Sequence, residues 1–391
     1  MTGKYVKCEF ADCCKYWSAA GVCRVAGQMA KLTTATPLLK SATTVGPPAV
    51  PSRVYFEPGT FVNEQGLTLY SYRWSLRTLS EPKGIVQLCH GYSSHTTFEW
   101  LLPSAPGGPH EKYDGSVIAG LVESGWIVIA IDQQSHGRSE GVAGPGVRCY
   151  FGEFEDLVTE SLGFNAVQRE EMAARYPSDT GHPLPAYVWG QSMGGATACR
   201  MACREKFDGM LLYAPMLSLE KVKEKELGIC GLRNKHLMPL VGCLSSCCPM
   251  GLVAKTEKNI IHPESQVEFD SDPYNFNESN GSKSCARNRT SFEFTSICDD
   301  FGRDGSPRSL RTVGLPFIVY HSEKDGFTDP EGSAMLYNMS NSADKTYKRI
   351  GVGLDLDLNI WHALSVEPGH EVILADALAW LESRSSIGKD S

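Results

Sequence analysis

From residue 84 onward, short unbroken apolar runs alternate with amphipathic stretches. The runs are GIVQLCH (84–90), WIVIAID (126–132), AYVWG (186–190) and GMLLYAP (209–215). Each has the length of a strand and no in/out alternation, the pattern of a strand covered on both faces of a parallel sheet. Between them, helical patterns fall near 111–124, within 150–175 and over 193–205. Ahead of this series, RVYFEPGTFVNEQGLTLYSYRWSL (53–76) reads as two strands joined by a turn at Asn63–Gly66. After Pro215 the rhythm stops, and 217–310 carries no clean strand. LPFIVYH (315–321) and TYKRIGV (346–352) resume it, and a final helix falls within 368–384. An antiparallel start followed by β-α alternation predicts one open α/β sheet, mostly parallel, with helices on both faces. The interruption at about 217–310 predicts an insertion above the strand ends, where such sheets carry function. Residues 1–50 end in a stretch rich in Thr, Pro and Ala and predict a flexible extension ahead of one domain over 51–391.

Composition narrows the function classes. With 391 residues, 42% hydrophobic and 21% charged, the chain can bury a large core. A net charge of −8 without a long Lys/Arg run argues against nucleic acid as a partner. No apolar stretch is long enough to span a bilayer, and the polar start MTGKYVKCEFADCCKYW lacks a signal-peptide core, so a cytoplasmic protein is expected. Fourteen cysteines then read as reduced thiols rather than a disulfide framework. Neither the Cys8, Cys13, Cys14 and Cys23 cluster nor CLSSCC (243–248) has paired zinc spacing with later ligands, so no metal is expected. Cys13 and Cys14 read as ordinary thiols, with acylation to a membrane tether as the alternative.

Candidate chemistry centres on two serines. Gly-x-Ser-x-Gly occurs as GRSEG around Ser139 and as GQSMG around Ser192. Ser139 lies seven residues past a strand, and the GVAGPG that follows it cannot start a helix. Ser192 lies two residues beyond a strand and directly before the helix former MGGATACRMACREKF. A nucleophile elbow needs that strand–sharp turn–helix context, so Ser192 is the candidate nucleophile and Ser139 a structural turn. A serine hydroxyl needs a base and an orienting carboxylate, which follow in the chain order Ser, Asp or Glu, His. Asp325 sits in the loop after the strand at 315–321, where a carboxylate reaches over the sheet edge. Asp329, directly before Pro330, reads as a helix-start residue, with Glu331 the other bland alternative. His362 sits in the loop before the last helix, whereas His370 reads as a surface residue at the helix start. The loop CHGYSSH predicts the second oxyanion donor, the Tyr92 amide, paired with that of Met193. His90 and His136 read as braces of their loops rather than bases.

Taken in order, LCHGYSSH, DQQSHGRSEG, GQSMGGA, YAPML, HSEKDGFTDPEGS and WHAL resemble the α/β-hydrolase family of monoacylglycerol lipases and lysophospholipases over about 53–384. The resemblance implies an α/β-hydrolase fold, Ser192 as nucleophile, Asp325 as acid, His362 as base, and Tyr92 and Met193 as oxyanion donors. It also implies a cap built from the segment after YAPML, and acyl transfer without cofactor or metal. A monoacylglycerol is the expected substrate, with a lysophospholipid or another long-chain ester next. Peptidases, haloperoxidases and non-catalytic binding scaffolds share the fold. The chain departs from the pattern where the strand before the acid ends in His-Ser rather than His-Gly, and where 277–311 is longer.

HLMPLVGCLSSCCPMGLVA (236–254) is apolar nearly all round. Breaks at Pro239, Gly242, Pro249 and Gly251 predict short pieces over a pocket, with Leu240, Val241 and Leu244 meeting lipid, and a buried cap helix sealed against the body is the alternative. The lysine-rich flanks KVKEKELGICGLRNK and KTEKN predict transient contact with an anionic membrane surface.

Overall fold

The computed structural model describes residues 48–105, 108–145, 147–177, 182–226, 233–255 and 285–385. The expectations for the extension before residue 48, including its cysteines, lie outside the described residues, as does KTEKN beyond Lys255.

Eight strands form the main sheet: β1 (Val54–Val62), β2 (Thr68–Leu76), β3 (Ile85–Cys89), β4 (Ile127–Ile131), β5 (Ala186–Gln191), β6 (Gly209–Tyr213), β7 (Phe317–Ser322) and β8 (Lys345–Ile350). Their spatial order is β1-β2-β4-β3-β5-β6-β7-β8. The β1–β2 and β2–β4 pairs are antiparallel, and all later pairs are parallel. The expected open, mostly parallel α/β sheet is therefore the observed one. Asn63 sets the first turn, its side-chain oxygen accepting from the amides of Gln65 and Leu67.

Seven helices matter to the site: α1 (Val117–Glu123), α2 (Phe154–Arg175), α3 (Met193–Arg204), α4 (Asn234–Cys247), α5 (Asn288–Gly302), α6 (Pro330–Met339) and α7 (His370–Glu382). The period of two along each strand sorts the core into layers. Val86, Leu88, Tyr187, Trp189, Leu211 and Tyr213 pack on one face with α1 and α7. Val188, Met210, Leu212, Phe317 and Val319 pack on the other with α2, α3 and α6. Both faces are buried, which is why the strand sequences show unbroken apolar runs. Ser116 caps α1, accepting from the Ala119 amide at 3.1 Å.

Between β6 and β7 the chain leaves the sheet and forms α4, α5 and a short ladder, the segment expected to be the cap. Two details differ from the sequence reading. Leu252–Lys255 pairs with Cys285–Arg287 as a short antiparallel ladder. Strands of three and four residues that pair only with each other carry no alternation to read. The expected breaks at Pro239 and Gly242 are also absent, since α4 runs through both and ends before Pro249. Proline removes one bond, that to the Lys235 carbonyl four residues back, and Lys235 and Pro239 both lie on the exposed face. Water can serve that carbonyl, which lowers the usual cost of a helix-interior proline.

Candidate active site

The turn after β5 is tight enough to strain its central residue. Ser192 has φ 55° and ψ −122°, a conformation that non-glycine residues avoid. Its amide donates to the Tyr213 carbonyl at 3.0 Å, and its carbonyl accepts from the Met216 amide at 2.9 Å, so β6 and its following loop hold the turn. The neighbouring glycines are steric requirements. A Cβ on Gly190 would meet the Gly194 oxygen at 2.2 Å, and one on Gly194 would meet the Cys89 oxygen at 2.0 Å. The helix α3 starts at Met193, pointing its positive end at the serine. Ser192 is half-buried among buried neighbours.

Ser139 is a different object. It is 1% exposed, accepts from the Tyr70 amide at 2.8 Å, and donates to the Asp132 carbonyl. Both ends of its hydroxyl are consumed in closing the turn after β4.

Asp325 and His362 come together from two loops at the carboxyl ends of β7 and β8. The His362 Nδ1–H donates to Asp325 Oδ2 at 2.7 Å. Asp325 Oδ1 accepts from the amides of Phe327 and Thr328 at 2.7 and 3.0 Å, and the Thr328 hydroxyl lies 2.8 Å from Oδ2. His321 Nε2 lies 3.3 Å from the same oxygen. Burial alone would raise the Asp325 pKa, but the His362 charge and the His321 hydrogen bond hold it well below the carboxylate range. Burial likewise works against the His362 imidazolium, yet Asp325, Glu99 and Glu367 raise its pKa above the ordinary imidazole value. Asp329 instead caps α6, accepting from the Glu331 amide ahead of Pro330. His370 is the first residue of α7, with Nδ1 3.1 Å from the Glu367 carbonyl.

The loop after β3 lies against the serine turn. A Cβ on Gly91 would sit 3.2 Å from both the Ser192 Cβ and the Glu99 carboxylate. Tyr92 follows directly, its hydroxyl donating to the Cys149 carbonyl at 3.0 Å and its ring set edge-on to Phe294 of α5. His90 donates from Nδ1 to the Gly91 carbonyl at 2.8 Å and accepts at Nε2 from the Gln133 amide at 2.9 Å. Burial lowers its pKa to about 4, so it stays neutral and braces the loop. His136 donates from Nδ1 to the Gln134 carbonyl at 2.9 Å, and burial holds its pKa well below the imidazole range.

Several residues near the site escaped the sequence reading. Glu367, fully buried, accepts from the amides of Trp361, His362 and Ala363 at 2.5, 3.3 and 3.0 Å and so fixes the histidine loop. The Phe327 ring packs 4.8 Å from the imidazole. Ser322, already marked by the His-Ser departure, gains a role the sequence did not show: it donates to the Ile360 carbonyl at 2.5 Å and ties the acid loop to the histidine loop. The available signal was a charged residue inside an apolar stretch, as with Glu99 in TTFEWLL.

The cap splits the three residues expected to meet lipid. Leu240 is 46% exposed, Val241 is 7% exposed, and Leu244 is half-buried. The outward stripe of α4 runs through Pro239, Leu240, Cys243 and Cys247. The basic flank is mostly neutralised: Lys223 pairs with Glu220 and Asp299, Lys235 with Glu224, and Arg233 with Glu224 and Glu226. No described helix is long and apolar enough to cross a membrane.

A mostly parallel sheet with a strained serine between β5 and α3, and with acid and histidine loops after β7 and β8, defines an α/β-hydrolase. The family described as Hydrolase_4, serine aminopeptidase S33, matches residues 80–354, and the chain belongs to it. Caffeoylshikimate esterase of Arabidopsis thaliana is 27% identical over 314 residues, covering 78% of this chain and 79% of the relative. Monoacylglycerol lipase of Mycolicibacterium smegmatis is 22% identical over 329 residues, covering 83% and 96%. Among solved structures, a soluble variant of monoglyceride lipase from Saccharomyces cerevisiae, in complex with a substrate analog, superposes with a TM-score of 0.63. It is 18% identical, with 90% of this chain and 99% of that one covered. The monoacylglycerol lipase of Paleococcus ferrophilus gives a TM-score of 0.56 at 18% identity, covering 81% and 99%. The chain is thus a lipase- and esterase-like member of the serine hydrolases, and its relatives are carboxylic ester hydrolases.

Proposed function

We infer that the chain hydrolyses monoacylglycerols to fatty acid and glycerol through an acyl-enzyme on Ser192. The observation that carries this reading is the 2.7 Å His362–Asp325 contact at the strand ends that also bear the strained Ser192. Asp325 accepts from Nδ1–H and fixes the tautomer that leaves Nε2 free of its proton. Nε2 then takes the Ser192 proton as Oγ attacks the ester carbonyl. The amides of Tyr92 and Met193 receive the developing oxyanion, helped by the positive end of α3. The protonated Nε2 releases glycerol as the leaving alcohol, and water, activated by the same nitrogen, frees the fatty acid.

The long-chain substrate is favoured by the cap, whose apolar stripe at Leu240 faces outward and suits contact with a lipid surface. With Lys221, Lys223 and Lys235 paired to carboxylates, the apolar stripe rather than charge carries that contact. A panel of monoacylglycerols, diacylglycerols, lysophospholipids, aromatic esters and aminoacyl amides tests the assignment. Preference for monoacylglycerol, lost in Ser192→Ala, supports it. Preference for lysophospholipid, for aromatic ester or for amide would replace it.

A further inference from the structure

Glu99 is a buried carboxylate that the proposed mechanism does not use. It lies on the short helix Thr96–Trp100 and is 6% exposed. One oxygen, Oε2, accepts from the Gly91 amide at 3.1 Å. The other, Oε1, accepts from the Gln191 side-chain amide. Gly91 directly precedes the candidate oxyanion donor Tyr92, and Gln191 directly precedes the candidate nucleophile Ser192. These two segments are a hundred residues apart in sequence and meet across the same carboxylate.

A buried carboxylate is expensive, and here burial raises the pKa of Glu99 while its hydrogen bonds and the charge of His362 oppose the rise. An apolar side chain would fill the same space without that cost, so the carboxylate invites a functional account. Packing tolerance gives one. Gly91 is wedged between the Glu99 carboxylate and the Ser192 Cβ, so the carboxylate fixes how far the loop stands from the serine. Oxyanion donors act only within about 2.7–3.1 Å of the developing charge, so a shift of a few tenths of an ångström in this loop is felt in the transition state.

We propose that Glu99 is a positioning residue that clamps the oxyanion loop at Gly91 to the nucleophile elbow at Gln191. The proposal rests on the reading of Ser192, Tyr92 and His362 given above. Its charge also faces the base. Around His362 stand Asp325 in direct contact, His321 behind that carboxylate, Glu99 from the short helix Thr96–Trp100 and Glu367 from the histidine loop. Around Glu99 stand Ser94, His95 and His362. Two consequences can be separated by substitution. Glu99→Ala removes clamp and charge. Glu99→Gln removes only the charge, because its oxygen can still accept from Gly91 and its amide can donate to Gln191 after that side chain turns its own amide over. The Gln191 Oε1, buried without a partner, becomes the acceptor in that arrangement.

The test measures kcat and KM on a short soluble ester for Glu99→Ala, Glu99→Gln, Gln191→Ala and the Glu99→Ala/Gln191→Ala double variant, with thermal unfolding alongside. Ser192→Ala serves as the reference. Glu99→Ala is expected to lower kcat by about tenfold or more with KM within about twofold, the signature of an interaction made in the transition state. Glu99→Gln is expected to recover most of that loss. In both, the acidic limb of the kcat/KM profile moves to lower pH, because the imidazolium of His362 loses a stabilising charge. Gln191→Ala is expected to resemble Glu99→Ala, and the double variant to be no worse than either, since the two residues form one bridge. Should Glu99→Ala fail to fold, Glu99→Gln and Gln191→Ala still decide: an unmoved acidic limb together with an unchanged kcat overturns the proposal. A Glu99→Ala kcat within about twofold of the parent, or a loss confined to KM, overturns it as well. If Ser192→Ala retains activity, the reading of the site falls and the clamp falls with it. An inactive Ser192→Ala beside an unimpaired Glu99→Ala sinks the clamp alone.

Discussion

The loops at the strand ends and the cap helix α4 hold their residues by opposite means. At the strand ends, Asp325 receives two backbone amides, the His362 ring and the His321 ring, while Glu367 gathers three successive amides around the histidine. On α4, Val241 and Ser245 face inward, and Leu240, Cys243 and Cys247 stand in solvent. The cap is anchored through α5, whose Phe294 packs on Phe151 and edge-on to Tyr92. Chemistry needs atoms fixed to fractions of an ångström, and buried polar networks supply that because each misplacement orphans a group in low dielectric. On the proposed function, a cap that meets lipid in many orientations needs apolar area and little else. Rigidity is concentrated at the strand ends, and apolar display is left to the cap.

The comparison breaks most sharply at the serine. Ser192→Ala is expected to lose about 10⁴-fold or more in ester hydrolysis together with fluorophosphonate labelling, and His362→Ala to match it, while His370→Ala keeps most activity. Labelling that persists in Ser192→Ala would move the nucleophile elsewhere. Next in size is Asp325→Asn, expected to cost about 10³–10⁴-fold in kcat. Its pH profile carries the sign. His362 must be neutral to accept a proton, and its pKa is raised in the folded protein, so activity falls as pH drops through that raised value. Removing the Asp325 charge moves the acidic limb to lower pH, and a limb that moves upward would contradict the assignment.

On the cap the expected effects are smaller and split by burial. Leu240→Asp should reduce hydrolysis of lipid in vesicles by about five- to tenfold and leave a soluble ester nearly unchanged, as loss of apolar contact with a surface predicts. Val241→Asp should lower both together with the melting temperature, because it places a charge in a packed position. Equal behaviour of the two variants would erase the contrast between outer and inner faces. The smallest effects belong to the residues near the site that serve only its shape. Ser139→Ala should keep full labelling and lose about 1–2 kcal/mol, since the Tyr70 amide loses its acceptor and the buried Asp132 carbonyl its donor. Asp329→Ala should cost about 1 kcal/mol through the lost cap, with mild loss of activity, while Asp329→Asn keeps most of the cap. All three are read by thermal unfolding.

Much of the body was legible because its signals are local. Strands β3 to β7 announce themselves as apolar runs, and Ser192 was separated from Ser139 by whether a helix could follow. Asp329 was legible as a cap from the proline after it. What escaped leaves no periodic pattern in the sequence. Glu99 and Glu367 matter through backbone amides that no periodicity marks, and Ser322 bridges to a carbonyl thirty-eight positions away. On the cap, an apolar stretch without a clear stripe could not tell Leu240 from Val241. The helix through Pro239 was hidden for a related reason, because the cost of a proline depends on whether water reaches the carbonyl it leaves.

The wedge of backbone around Gly190 and Gly194 has a consequence for how such chains are recognised. Any side chain at either position would collide with main-chain oxygens of the first turn of α3 or of β3. The two glycines are therefore demanded by the bend whether or not the residue between them reacts. A descendant that lost its hydroxyl and survived as a binding protein would have to keep both, and would still answer to the pattern. What the glycines certify is a bend in the chain; the reactive atom has to be sought one residue at a time.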